Sequence, residues 1–478
     1  MKTELQTTGT KPTEEMTLTP ADVRDMLILT KKGAVLQCKR NCVTVLENDP
    51  HLKGAFRCNI LSGRTDIVRD LGWRRPSPAI NDTDMSYIYL YLEDHYSLTS
   101  EKHIDSAIRI VADRNSYHPV CEFLDNLKWD GQERISKLLP RFFGVSTDDG
   151  YYTPQLLYDC TKLFLMGGIV RAHNPGIKFD YMLCLAGGQG AGKSTFFRFL
   201  AHNDDWFTDD LKKIDDDNIY RQLQGHWVCE MPEMIEPSNP RKRDQVKAFI
   251  TRQKDSYKVP YDVYPMDRPR QCIFGGTTNI VQFLPFDRTG NRRFIPFEIN
   301  EERREVHILD KDHERENRYF IDQVWAEAMA LYRKGDYTLA LSTEDEHRLD
   351  IIRKHFMPED TMAGQIQQFL DDRLRSDLTD KHVCSILLFK EALHHEFDEP
   401  KRFQTNEICS IMNTSIVGWI EGPVHRFAKY GTQKSWIPAP GAYDEQLRLD
   451  EEEYAHHERE GMEHEMDYAS NLYPIPPP

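Results

Sequence analysis

The residues best suited to chemistry lie in one run, Gly187-Gly188-Gln189-Gly190-Ala191-Gly192-Lys193-Ser194-Thr195. Glycines let successive backbone N–H groups turn inward around a phosphate, and a following helix adds the partial positive charge of its N-terminus. Lys193 would reach the β- and γ-phosphates, and Ser194 would ligate Mg²⁺. The flanks fit that use. Tyr181 to Leu185 is an apolar, strand-like run, and Phe196, Phe197, Phe199 and Leu200 give the following segment an amphipathic helical face. Strand, glycine-rich loop and helix in that order make a P-loop, and the expected cofactors are ATP and Mg²⁺.

Binding alone is not hydrolysis, which needs a second carboxylate site and a means of stabilising charge on the transferring phosphoryl group. His226-Trp-Val-Cys-Glu230 is a short apolar strand ending in an acid, and Glu233 lies three residues on. This reads as a Walker-B strand, whose acid falls beside the P-loop. Glu230 would serve the metal and Glu233 the attacking water, or the two roles are reversed. Gln271-Cys-Ile-Phe-Gly-Gly-Thr-Thr-Asn279 repeats the pattern of strand and polar tip, which places Asn279 to hydrogen-bond the γ-phosphate or the water. Arg292 and Arg293 open another strand-like run. An arginine there could complete a neighbouring subunit's site, or form a structural salt bridge.

Several elements must position these groups. Strand-like runs at 181–185, 226–230, 271–275 and 293–299 alternate with helical ones, which predicts a parallel sheet covered by helices. The expected organisation is a disordered N-terminus (1–18), an accessory domain (19–102), a helical region (103–180), the ATPase core (181–300), a helical extension (301–360), a winged-helix-like α+β module (361–440) and an acidic disordered tail (441–478). Thr19-Pro20 is a helix start. Cys42 to Leu46 reads as strand and Gly63 to Asp66 as a polar patch. Asp82 to Tyr96 reads as an amphipathic helix with Tyr87, Leu90 and Tyr91 among its apolar positions. Asp82-x-Asp84 suits a polymerase-like metal pair, but also the macrodipole at a helix start. A helix is predicted over 318–334, closed by Gly335, and another over Thr405–Met412, followed by a hairpin from His425 to Ile437.

The net charge of −16 argues against nucleic acid only on average. Residues 441–478 hold eleven acids against Arg448 and Arg459, a net of −9, so residues 1–440 carry −7. Local basic segments decide. Arg252 to Arg270 interleaves cations with tyrosines, a composition that can follow a phosphate backbone and stack on bases. Lys254, Tyr257 and Lys258 are its candidate DNA contacts; a solvated loop or subunit interface is the other reading. The ten cysteines include no C-x-x-C pair, so a zinc site is not legible in their spacing. With no apolar run of membrane-spanning length and a polar N-terminus, a cytoplasmic protein without membrane contact is expected.

The order P-loop, Glu230/Glu233, Asn279, Arg292/Arg293 resembles the virulence-associated protein E family of phage and mobile-element P-loop ATPases, related to superfamily 3 helicases. Tyr117-His-Pro-Val120, Leu127-Lys-Trp-Asp-Gly131, Pro175-Gly-Ile-Lys-Phe-Asp180, Lys247-Ala-Phe-Ile-Thr251 with Asp255 and Pro260-Tyr261, and Gly290-Asn-Arg-Arg-Phe294 carry the likeness across about residues 80–340. The resemblance implies an AAA+-like core, a hexameric ring with an arginine supplied in trans, and a pore hairpin between the Walker-B strand and Asn279. It also implies single-stranded or forked DNA as partner, with a separate primase or other replication proteins alongside. The function to expect is therefore a replicative helicase of a phage or mobile element; the alternative is a nucleotide-switched initiator or assembly factor that does not unwind processively.

Overall fold

The computed structural model describes residues 18–148, 150–211, 222–232, 240–257, 266–284 and 291–442. They divide into two compact units, one running to residue 284 and resuming over Asn291–Phe356, the other beginning at Met357.

The first unit opens with a small subdomain that has its own core. Helix α1 (Pro20–Asp25) starts in a capping box, Thr19 and Asp22 each satisfying the other's backbone N–H. Helix α2 (Lys39–Asn48) replaces the strand expected at Cys42–Leu46: Asn41, Cys42, Val45 and Leu46 are buried at helical spacing, and packing overrides the β-branched composition. Strands β1 (Phe56–Asn59) and β2 (Arg64–Ile67) form an antiparallel hairpin where only a polar patch was legible. Asp66 is buried in it, accepting from Tyr117 Oη at 2.6 Å and Asn59 Nδ2 at 2.9 Å.

Helix α3 (Asp82–Tyr96) has the expected span but a different buried face: Asp84, Ile88, Leu92 and Tyr96. Tyr87 and Leu90 are exposed, because both faces carry large apolar residues and periodicity alone does not choose between them. Asp84 caps the helix and pairs with Arg75 Nε at 3.0 Å and Trp73 Nε1 at 2.8 Å. That is a structural use of the Asp82-x-Asp84 pair. Helix α4 (Glu101–Arg114) closes the subdomain through Ile104, Ala107, Ile108 and Val111.

Helices α5 (Pro119–Asn126), α6 (Leu138–Phe143) and α7 (Pro154–His173) lead to the sheet. Helix α7 is apolar all round and almost wholly buried, as a central helix must be. The sheet comprises β3 (Met182–Ala186), β4 (Phe207–Thr208), β5 (Val228–Pro232), β8 (Ile273–Thr278) and β9 (Phe294–Glu298) in the order β4-β5-β8-β3-β9, and every neighbouring pair is parallel. Its strands are buried nearly throughout, as expected of a parallel sheet covered on both faces. Helix α8 (Lys193–Leu200) follows β3, and α9 (Pro240–Thr251) precedes an antiparallel pair, β6 (Lys254–Tyr257) and β7 (Met266–Pro269). Helices α10 (Glu314–Lys334) and α11 (Thr343–His355) complete the unit, α10 ending at Gly335 in the left-handed region.

The second unit packs α12 (Thr361–Arg375), a short helical turn at Ser385–Ala392, and α13 (Arg402–Thr414) against a hairpin of β10 (Trp419–Phe427) and β11 (Gly431–Pro438). Ile366, Leu370, Leu388, Ile411 and Trp436 form its core. No helix among the described residues is long and apolar enough to cross a membrane.

Candidate functional site

The carboxyl ends of β3, β5 and β8 lie side by side, with Ala186 opposite Thr278 and Pro232 opposite Thr277. In open parallel sheets ligands collect at this edge. The glycine-rich loop sits there because of its backbone. Gly190 and Gly192 have φ of +87° and +86°, a region that side-chain-bearing residues rarely enter. A Cβ on Gly192 would lie 2.3 Å from Ile308 Cγ2, so the loop also needs the absence of a side chain there. Gly192 is the N-cap of α8, and Lys193 and Ser194 begin its first turn.

Lys193 is buried and donates all three of its protons: to Gly187 O and Gly188 O at 2.7 Å each, and to Asn279 Oδ1 at 3.0 Å. Burial pulls its ammonium below the ordinary lysine value, while Glu301 and Glu230 oppose that shift. Residues 86 apart in sequence thus meet through one hydrogen bond. Ser194 Oγ donates to Glu230 Oε1 at 2.7 Å, and Thr277 Oγ1 donates to the same oxygen at 2.6 Å.

Glu230 is fully buried. It stands in the middle of β5 and not at its end, because the strand continues through buried Met231 to Pro232. Its other oxygen, Oε2, has no hydrogen-bond partner among the described residues. Burial pushes the Glu230 carboxyl above the ordinary range, with the hydrogen bonds from Thr277 and Ser194 pulling the other way. A buried carboxylate oxygen without a partner, next to a serine hydroxyl, is the donor set a hard dication would take up. Gln189, Gly190, Ala191, Gly192, Lys193, Ser194 and Thr195 line a cavity of ≈ 320 Å³ with Pro232, Thr277, Thr278, Asn279 and Leu309.

The paired arginines differ in their surroundings. Arg293 Nε donates to Thr251 Oγ1 at 2.9 Å. Arg292 leaves 65% of its side chain exposed and pairs loosely with Asp180 at 4.0 Å. It stands just before β9, whose only sheet neighbour among the described residues is β3. Glu233 and Lys258 lie outside the described residues. Lys254 is exposed on β6 and pairs with Asp267 across the hairpin, and Tyr257 ends β6 opposite Met266. Arg270, part of the basic run read as contacting DNA, is withdrawn into the protein. It is buried, makes a two-pronged pair with Asp255 at 2.7 and 2.9 Å, and lies over the Phe249 ring at 4.5 Å.

Two residues at this edge carry no distinct mark in the sequence: Thr277, although the Gly-Gly-Thr-Thr-Asn279 run contains it, and Glu301, which has no local signal. Glu301 Oε1 would lie 2.8 Å from a Cβ on Gly188.

No curated protein matches this chain. Among solved structures it is similar to the A form apo structure of the NrS-1 C terminal region, with 13% identity, a TM-score of 0.44, and 80% of this chain and 96% of that chain covered. A second apo structure of the NrS-1 C terminal region has the same identity and coverage and a TM-score of 0.45. Residues 124–358 match the family described as the Virulence-associated protein E-like domain.

Proposed function

We propose that this chain is an ATP-hydrolysing DNA motor, a replicative helicase of a phage or mobile element acting as a ring oligomer, built on an AAA+-like P-loop core. The observation that carries this reading is the linked set Lys193–Asn279 and Ser194–Glu230–Thr277, with Glu230 Oε2 left without a partner among the described residues. Ser194 Oγ and Glu230 would hold Mg²⁺, which when bound supplies charge neutralisation for the phosphates. Lys193 would exchange its carbonyl partners for phosphate oxygens. Asn279, relieved of Lys193, would orient the γ-phosphate or the water, with Glu233 as the second acid.

Arg292 is the better candidate for the arginine supplied to a neighbouring site, since it is exposed and only loosely paired. The hairpin of β6 and β7 lies in the interval assigned to a pore loop, with Lys254, Tyr257 and Lys258 as DNA contacts. The match of residues 124–358 to the Virulence-associated protein E-like domain supports the family resemblance on which a role beside other replication proteins rests. ATP turnover should rise with single-stranded DNA and vanish in Lys193→Ala. Turnover indifferent to DNA, without strand displacement, would defeat the motor reading.

A second reading, a nucleotide-switched initiator or assembly factor, draws on the separate C-terminal unit. Its α13 and long hairpin suit a winged-helix-like DNA reader. Site-specific binding through residues 361–440 that survives Glu233→Gln, with no unwinding, would favour it.

A further inference from the structure

We propose that Asp380, His382 and His425 form a binding site for one transition-metal dication of the zinc type in the C-terminal unit. Each residue offers one ligand atom, and the three atoms all lie within 4.8 Å of one another. Asp380 Oδ1 is 2.8 Å from His382 Nδ1, and Asp380 Oδ2 is 3.0 Å from His425 Nε2. The two imidazoles stack with centroids 4.0 Å apart. Ligands at ~2.0–2.1 Å from a tetrahedral zinc stand about 3.3–3.4 Å from each other, so moving each ligand atom by about 1 Å or less would enclose an ion. Two nitrogens and one carboxylate oxygen favour zinc, copper or nickel over magnesium. The histidines are each 28% exposed and Asp380 55%, which leaves room for water in the fourth position.

The surrounding backbone holds the ligands in place. Lys381 Nζ donates to the carbonyls of Arg373, Leu374 and Ser376, capping the end of α12. Arg373 Nη2 donates to Asp380 O at 3.2 Å and His382 O at 3.3 Å, and Val383 exchanges both backbone hydrogen bonds with Trp436 on β11. On β10, three steps from Gly422 to His425 face two steps from Ser435 to Gln433. This extra residue is a bulge of the kind that re-aims a side chain, and His425 follows it directly. A metal here would staple the loop after α12 to the hairpin.

The test uses the full chain in excess Mg²⁺, so that the Ser194–Glu230 site is not open to zinc, with ZnCl₂ as the probe in chelator-buffered solution. One tightly held equivalent is expected, weakened at least ~10-fold in His382→Ala and in His425→Ala. In the unsubstituted chain, zinc should also slow diethylpyrocarbonate modification of His382 and His425, mapped residue by residue. Equal stoichiometry and affinity in both folded variants overturns the proposal. So does unchanged reactivity of the two histidines with zinc, a measurement that stands even where the variants fail to fold.

Discussion

Glu230 holds an uncomfortable place, a carboxylate out of water with one oxygen unmatched. Its raised pKa means the folded chain binds that proton more tightly than the unfolded chain does. Stability therefore falls as pH rises from the ordinary carboxylate value through the folded pKa, and the whole cost is present above it. Glu230→Gln should raise the thermal midpoint without nucleotide at neutral pH, while ATP turnover drops by about 10²-fold or more. A variant that melts lower and still turns over would contradict this assignment. At Arg292 the expectation concerns two chains. Arg292→Ala should lose roughly 10³–10⁵-fold in turnover, as should Lys193→Ala. Mixing the two variants should restore part of it, because some interfaces then pair an intact loop with an intact arginine. No recovery on mixing would place the arginine's role within its own chain.

At the scale of elements, α8 packs closely against the sheet. A Cβ on Gly275, in the middle of β8, would lie 2.2 Å from the Phe197 ring. Gly275→Ala should cost about 1–3 kcal/mol by overpacking, read from denaturant unfolding. It should also weaken nucleotide binding, since Phe197 shares its short helix with Lys193 and Ser194; a change within error would mean the helix shifts freely. The elements most legible in the sequence were those with strong local signals. Gly335 closes α10 where a left-handed cap was expected, and the hairpin expected over His425–Ile437 falls within β10 and β11. Those governed by tertiary contacts were not legible: α2 became helical because its buried spacing pays off only against α4, and β4 is two residues long. The buried face of α3 was undetermined by its own residues.

Across the whole molecule, Lys193, Ser194 and Asn279 were legible as a group because each follows a strand of one parallel sheet, and parallel strands bring such ends together, whereas Glu230 and Thr277 reach the same edge from within their strands. Asp380, His382 and His425 had no such guide. Two are neighbours, the third arrives on a hairpin strand more than forty residues later, and nothing in spacing joins them. The same holds for Asp255 and Arg270, whose pairing could be read only as part of a basic run. That pair carries a mechanical consequence. Strand β8 spans six residues, about 20 Å at the usual rise. Asn279 follows its upper end, while Arg270, anchored to Asp255 of β6, lies just before its lower end. A stiff, fully buried rod thus connects the atom that touches Lys193 to the root of the hairpin, and pulling one end should tilt the other. Replacing both partners, Asp255→Leu with Arg270→Met, removes the clamp without stranding a charge. Turnover without DNA should then persist while its stimulation by DNA fades, as in a crank whose handle has slipped from the shaft.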